Sequence, residues 1–458
     1  MKNIVKIAFR NIKRQKKRTF LLGGAIAFGI LIITVLNGFT GGLTDNIKEN
    51  FSAIFGGQIF ITGSEIKDSG RIVSVIRNDK IIDEAVKPVK DEIKSAHKHS
   101  RALAEVIFGS KTDRQRIDGI DWNVEKDFAS SLPIVEGSVK DLSNPKVIIL
   151  PVSTAKRLGV EIGESILVRL STITGQQNVG DFILVATVRD QESMGISTGY
   201  ANIDYLNSLL GMTPGEFQVY NIYLKSMENM DSVGDAIYAG LKKRAATEER
   251  LVTTPTANDN SDATDSARRK NMRRSFASLM GSSFFNAKNI EPWEGTKYSL
   301  ITLNDMMGEV TAMVQVINTI GLGIFVLLLI ITMVGVTNSF RMTILERVRE
   351  IGTMRAIGMQ RNSVRNIFLL EAFFTALAGA IAGLIAAGVV MFIVSRVTFS
   401  SSSFMWFFLR NGRMTFTVVP VNVLVNLVIL SLLSLLAAWN PAKKASKMEA
   451  AQALRTEY

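Results

Sequence analysis

Hydrophobic residues are concentrated in four long stretches of this 458-residue chain. Each stretch has 24 or more consecutive residues without Asp, Glu, Lys or Arg. About 20 apolar residues cross a hydrocarbon core of roughly 30 Å, and a charge at its centre costs about 2.5 to 3.5 kcal/mol. The pattern therefore predicts four transmembrane helices, at 19–44, 310–340, 368–395 and 414–440.

The long segment 45–309, between the first two spans, has a different pattern. Short β-branched or apolar runs bounded by Gly, Pro or polar residues predict strands at 58–62, 147–150, 166–170, 182–188 and 222–224. Helical stretches are expected around 81–96, 153–158, 203–210 and 230–243. The segment is long enough for its own core, which predicts an α+β domain.

Basic residues predict the orientation of the spans. The chain carries a net charge of +12, whereas residues 45–309 hold 32 Lys and Arg against 36 Asp and Glu, a net of −4. Under the positive-inside rule, the N-terminus, the loop 341–367 and the tail 441–458 lie in the cytoplasm. Arg396, Arg410 and Arg413 of the short outer loop 396–413 run against this trend. We therefore expect an α-helical membrane protein with four transmembrane helices and a large α+β extracytoplasmic domain between helices 1 and 2.

Three segments have alternative interpretations. Residues 1–18 have apolar positions at helical spacing among basic ones, which predicts an amphipathic helix on membrane lipid, or else a plain cytoplasmic overhang. The first span is longer than the apolar core of a signal peptide, so we expect it to be retained. Residues 245–289 are polar and then basic, which favours a mobile surface insertion over a ligand-binding loop.

Few residues suggest a catalytic, metal or phosphate-binding site. There is no Cys, and the two histidines, His97 and His99, lie in a polar stretch that predicts a solvated surface pair rather than a metal site. Gly109–Thr112 lacks the order and the earlier glycine of a phosphate-binding loop. We expect no metal, no cofactor in this chain and no ATPase site of its own. Nucleic acid is not expected as a partner, because the basic residues flank membrane spans.

Two patterns predict packing and docking. Gly379, Gly383 and Ala387 place small residues on one face of the third span, where a neighbouring helix can approach closely. After the second span, 344–358 predicts a short amphipathic helix with apolar and charged faces, and with Arg347 able to pair with Glu350 at i,i+3. Such a helix either rests on the lipid headgroups or docks into a cytoplasmic partner, and the spacing of its apolar residues does not distinguish the two.

The run 346–358, Glu-Arg-Val-Arg-Glu-Ile-Gly-Thr-Met-Arg-Ala-Ile-Gly, resembles the signature of the FtsX-like ABC transporter permeases. So do Phe-Leu-Leu-Glu-Ala at 368–372, Asn-Pro-Ala-Lys-Lys-Ala-Ser-Lys at 440–447 and Ala-Leu-Arg at 453–455. The stretch 147–168 is similar to the extracytoplasmic domain of the macrolide-exporter, or MacB-like, and lipoprotein-releasing branches, although Leu150-Pro151 stands where a glycine is common. The architecture is most similar to the lipoprotein-releasing permeases.

The resemblance implies a mechanism and partners. Such permeases pair with a second copy or a homologue and bind two copies of a separate ABC ATPase subunit, which binds the ATP. The resemblance also implies that 344–358 is the coupling segment, which docks to the ATPase. Its docking residues would be Glu346, Arg347, Arg349, Glu350, Gly352, Arg355 and Gly358. ATP-driven motion then reaches the outer domain by mechanotransmission, without a pore, in line with the absence of ionisable residues from the four uncharged runs.

The implied function is release of a lipoprotein substrate from the plasma (inner) membrane. Two alternatives stay open at this point. One is export of small molecules or peptides of the macrolide-exporter type, and the other is a non-transporting, FtsX-like regulator of a cell-wall hydrolase.

Overall fold

The computed structural model describes residues 10, 16–67, 71–140, 142–190, 198–250, 277, 279, 281, 284–286, 292–399, 408–410 and 412–448. The chain divides into two compact units. We call the described residues up to 47 and from 310 onwards the membrane unit, and those from 48 to 309 the sheet unit. Most of the expected N-terminal helix at 1–18, and the tail after 448, lie outside the described residues.

The helices, in chain order, are α1 Lys16–Phe55, α2 Lys80–Val86, α3 Lys126–Ser131, α4 Val152–Leu158, α5 Ile203–Leu210, α6 Met230–Lys242, α7 Leu303–Met306, α8 Gly308–Glu346, α9 Val348–Ala356, α10 Arg361–Ser395 and α11 Pro420–Ser446. The strands are β1 Ile59–Ile66, β2 Arg71–Ser74, β3 Ile93–Phe108, β4 Lys111–Ile120, β5 Ile134–Gly137, β6 Val147–Pro151, β7 Ser165–Ser171, β8 Gln177–Val188, β9 Thr198–Asn202, β10 Val219–Leu224, β11 Phe284–Asn286 and β12 Lys297–Thr302. Two 3-10 turns, Lys87–Glu92 and Met227–Asn229, complete the regular structure of the described residues.

Four helices of the membrane unit, α1, α8, α10 and α11, are long and apolar enough to cross a membrane. This confirms the four predicted spans. Their helical bounds differ from the uncharged runs, because helical hydrogen bonding does not stop where lipid does. Thus α1 continues to Phe55, burying Ile47, Phe51 and Ile54, and α11 begins only at Pro420, where proline suits the first turn of a helix.

The sheet unit is built on a twelve-stranded sheet with the order β11-β2-β1-β10-β3-β4-β9-β6-β8-β5. Off this path, β12 pairs with β1, and β7 pairs with both β3 and β8. Strands β7 and β8 alternate buried and exposed side chains, as expected for a sheet with one face on the core. The main core lies between these strands and the helices α4 and α5, and includes Phe182, Leu206 and Val168. The α+β domain between the first and second spans is therefore confirmed.

The structure corrects the sequence reading at 81–96. A helix was expected there; α2 and the 3-10 turn Lys87–Glu92 account for its first part, but the sixteen-residue strand β3 begins at Ile93. Strands β3 and β4 carry many charged and polar side chains, which conceal the period-two pattern. They form strands because they pair with each other over nine residue pairs, from Ser100 with Gly119 to Phe108 with Lys111.

The segment 245–289 is only partly described. Leu279 is fully buried, and β11 pairs with β2, with Phe284 opposite Val73. At these positions the segment packs in the sheet unit, and the expected mobile surface insertion stays a prediction for the rest of it. Residues 251–276 lie outside the described residues.

Candidate functional site

The coupling segment is two elements rather than one helix. Helix α8 continues through Glu346, the backbone leaves helical geometry at Arg347 (φ −113°, ψ 18°), and the nine-residue helix α9 starts at Val348. The expected helix over 344–358 is therefore corrected to 348–356. A glycine ends it, since Gly358 has a φ of +94°, which L side chains rarely adopt.

A buried ion cluster occupies this break. Arg347 is 5% exposed and Glu371, on α10, is 2% exposed. Arg347 Nη1 donates to Glu371 Oε1 at 3.0 Å, and its Nε donates to Glu350 Oε2 at 2.7 Å. The guanidinium also lies 5.6 Å from the centre of the Phe368 ring. The expected pairing of Arg347 with Glu350 is thus present, and Arg347 is turned inward rather than outward.

Glu371 is a buried charge near the start of the third predicted span. It immediately precedes an uncharged run, within the segment 368–395 that was assigned to the third span. The third membrane helix therefore carries one buried ionisable residue. Ionisable groups in membrane helices are rare, usually mark a functional site and pair with another polar group. The partner of Glu371 is Arg347.

The remaining residues of the coupling segment differ in exposure. Glu346, Arg349 and Gly358 are exposed, Gly352 is buried, and Glu350 is half-buried. Arg355 is also half-buried, and its Nη1 donates to the carbonyl of Met359 at 3.0 Å. No ion pair joins Glu346 to Arg349 among the described residues, although their spacing allows one.

Sequence reasoning missed Ile357, which follows α9 directly. Its side chain is 88% exposed, more than any other large apolar side chain among those described. The neighbouring left-handed Gly358 holds the chain in a turn at this point. Ile357 lies inside the segment 344–358 that was expected to be one amphipathic helix, so only the structure shows that it follows the helix and projects into solvent.

The small residues of the third span face the first span. A Cβ on Gly379 would lie 2.6 Å from the carbonyl oxygen of Gly23, and a Cβ on Gly383 would clash with the carbonyl oxygen of Ala27. Ala387 is fully buried on the same helix. Within the membrane unit, α10 and α1 therefore approach closely at these glycines.

A second buried charge cluster holds the end of α1 within the sheet unit. Arg116 donates from Nη2 to the carbonyl of Ile54 at 2.6 Å, and Arg101 donates to the carbonyl of Phe55. Asp118 accepts from Arg116 Nε at 2.9 Å and lies 3.4 Å from Arg101 Nε. The last carbonyls of a helix lack intrahelical partners and attract positive charge, so two guanidiniums cap α1. Burial lowers the pKa of Arg101 to about 10, against the favourable field of Asp118.

The histidines are not a solvated surface pair. His99 is buried, accepts from Asn221 Nδ2 at 2.7 Å and donates from Nε2 to Glu125 at 2.8 Å. His97 is half-buried, and burial is the main cause that lowers its pKa below 6.5, while the charge of Glu125 acts in the opposite direction. The prediction failed because β3 turns these side chains towards the capped end of α1. Among the described residues, no group of three or more potential ligands could hold a metal ion.

A cleft of about 360 Å³ opens in the sheet unit beside the last turns of α1. Glu49 and Ser52 form one wall, and Phe128, Tyr200 and Tyr223 supply aromatic surface. Its volume is near the lower end of that of small-molecule sites.

Four helices long and apolar enough to cross a membrane, a short helix between the second and third, and a large α+β domain after the first are the architecture of a membrane protein with an extracytoplasmic domain. Residues 19–249 match the MacB-like periplasmic core domain, and residues 322–450 match the FtsX-like permease C-terminal family. The chain therefore belongs to the FtsX-like and MacB-like ABC transporter permeases.

Several individual proteins are similar to parts or all of this chain. An uncharacterized ABC transporter permease, MJ1507 of Methanocaldococcus jannaschii, is 22% identical over 99% of this chain and 98% of its own. The macrolide export ATP-binding/permease protein MacB 1/2 of Paracoccus denitrificans is 30% identical over 35% of this chain and 22% of its own. The crystal structure of the periplasmic region of MacB from Actinobacillus actinomycetemcomitans matches 58% of this chain and 97% of that one, with 13% identity and a TM-score of 0.27.

Proposed function

We propose that this chain is the permease subunit of a mechanotransmitting ABC transporter, driven by ATP hydrolysis on a separate ATPase subunit. The observation that carries the proposal is α9, a short helix with exposed charge between two membrane-crossing helices. The basic residues beside the spans support an inner-membrane orientation with both termini in the cytoplasm. This orientation puts α9 on the side where ATP is available.

The exposed end of the coupling segment is the best docking surface for the ATPase. Ile357 offers an apolar anchor, and Arg349 and Glu346 offer exposed charges elsewhere on the segment. Interfaces of this kind place an apolar anchor in a pocket and surround it with polar groups. Glu350 and Arg355 are held by Arg347 and by the Met359 carbonyl, so they are poorer probes of docking.

Docking can be tested with the full chain in detergent and the ATPase subunit that copurifies with it and hydrolyses ATP. Ile357→Ser and Arg349→Glu should each weaken binding about tenfold or more, because truncating an anchor residue costs at least about 1.4 kcal/mol. Lys444→Glu, an equally exposed charge reversal on α11, is the matched control and should bind like wild type. Wild-type affinity in both the Ile357→Ser and the Arg349→Glu variant would refute the docking assignment.

For the cargo, we infer release of lipidated proteins from the membrane, with a second permease copy or homologue completing the complex. The large sheet unit, from 48 to 309, supports a cargo of protein size. The aromatic cleft of about 360 Å³ favours the alternative of small-molecule export, and the match to the FtsX-like C-terminal family leaves hydrolase regulation as the other alternative.

Cargo classes are distinguished by what the complex retains when ATP hydrolysis is blocked. A bound lipoprotein, identified with its acyl chains by mass spectrometry, supports lipoprotein release. A bound cell-wall hydrolase without acyl chains supports regulation instead, and a small molecule displaced by Tyr200→Ala supports export.

A further inference from the structure

We propose that Arg347 and Glu371 are positioning residues that fasten the coupling segment to the third membrane helix, so that α9 and α10 move together. This inference rests on the proposed coupling role of α9. It names the contact by which a displacement of α9 enters the membrane unit.

The geometry joins three helices at one guanidinium. Arg347 stands at the break between α8 and α9, bonds through Nε to Glu350 in the first turn of α9, and bonds through Nη1 to Glu371 on α10. These two hydrogen bonds leave in different directions from a planar group, so they fix the orientation of α9 as well as its distance from α10.

Burial argues against a direct docking role for this pair. Arg347 and Glu371 are 5% and 2% exposed, so a partner bound to the surface of α9 does not reach them. Around them lies an apolar cluster that includes Ile351, Val364 and Phe368. Ordinary apolar side chains would fill this space at lower desolvation cost, and a buried ion pair contributes orientation more readily than stability.

The third helix is also well placed to receive a displacement. Along the same helix, Gly379 and Gly383 bring α10 against the backbone of α1 at Gly23 and Ala27. Contacts of backbone against backbone transmit displacement with little slack, because no flexible side chain lies between them. The Arg347–Glu371 bond is thus the entry point to a close-packed pair of membrane helices.

The test is a double-mutant cycle on the complex of the full chain with its ATPase subunit. The variants are Arg347→Met, Glu371→Leu and the two combined, with Arg341→Met, an exposed arginine near the end of α8, as matched control. We measure ATPase binding affinity, ATP turnover at saturating ATPase, and thermal unfolding. Each single variant should bind the ATPase within twofold of wild type and lose about tenfold in turnover.

The combined variant distinguishes a positioning role of the ion pair, read from ATP turnover, from a role in stability alone, read from thermal unfolding. Replacing a whole buried ion pair by apolar residues is often neutral or stabilising, so unfolding should return to the wild-type temperature. Turnover should stay at the level of the single variants, because both residues act through one bond. The combined variant also keeps the test valid if a single variant fails to fold.

Three results would overturn the proposal: turnover unchanged in the single variants, turnover restored together with stability in the combined variant, or binding weakened in parallel with turnover. Failure of the docking proposal looks different. In that case Ile357→Ser and Arg349→Glu would bind like wild type, whatever the cycle at Arg347 and Glu371 shows.

Discussion

The cap on the end of α1 yields a prediction whose size follows from the structure. Asp118→Asn keeps the shape of the side chain but removes the negative charge between Arg101 and Arg116. The side chains of these arginines are 0% and 2% exposed. Both would remain buried and positive without a buried counter-charge at this position, although the carbonyls of Ile54, Phe55 and Leu279 would still accept from them.

The loss can be worked from the cost of an uncompensated buried charge. Removing one partner of a buried pair costs about 3 to 5 kcal/mol. For a unit of this size, one kcal/mol shifts the melting temperature by about 2 to 4 °C. Asp118→Asn should therefore lower the melting temperature of the sheet unit by about 6 to 20 °C.

The assay is thermal unfolding of the full chain in detergent, followed by tryptophan fluorescence, to which the buried Trp122 contributes. Asp181→Asn is the matched control, because Asp181 makes an exposed pair with Lys146 at 3.0 Å. Exposed pairs contribute about 0 to 1 kcal/mol, so this variant should melt within a few degrees of wild type. Equal melting of the two variants would show that the cluster does not hold α1 as described.

Three further outcomes are expected. Gly379→Ala should destabilise the membrane unit in thermal melts in detergent, because its Cβ meets a backbone oxygen at 2.6 Å. Gly388→Ala, whose Cβ meets nothing within 4 Å, should be neutral or stabilising by up to about 1 kcal/mol. A change in stability of the same sign for both variants would contradict the close approach at Gly379. The lowered pKa of His97 means that the unfolded state binds more protons just below pH 6.5, so stability should fall on acidification there, and His97→Gln should flatten that slope in melts across pH. Thr302→Ala removes the capping hydroxyl of α7 and should lower the free energy of unfolding by about 1 kcal/mol, whereas Thr302→Ser should lower it less; thermal melts of the two variants measure the difference.

Regular patterns made much of the fold predictable. Charge-free runs longer than a bilayer predicted the four spans, because no soluble helix needs 24 residues without a charge. The β-branched and apolar runs at 166–170 and 182–188 similarly predicted strands, and these runs lie within β7 and β8. Where burial of apolar side chains dominates the energetics, the local sequence is sufficient to predict the element.

The polar strands and the inward arginines could not be predicted in this way. Arg347 follows Glu346 in a charged run, and one helix through both would be amphipathic, so the break at Arg347 and its inward turn were hidden. The partner that explains the turn, Glu371, is 24 residues further along the chain. Likewise, Arg101 and Arg116 are stabilised by the carbonyls of a helix that ends at Phe55. A charge whose partner is distant in sequence reads as a surface charge until the fold is known.

The two buried arginine sites share a design with a mechanical consequence. In each, a guanidinium binds groups on different elements: Arg347 joins α9 to α10, and Arg116 joins the end of α1 to Asp118 on its own strand β4. Guanidinium hydrogen bonds are directional, and breaking one inside the protein leaves a buried charge unpaired, so such a contact resists sliding more than an apolar contact of equal area. Under the mechanotransmission proposed above, such contacts would stiffen the two places where a helix meets another element. We therefore expect substitutions at these arginines to reduce coupling more than substitutions of equal volume in the apolar clusters around them.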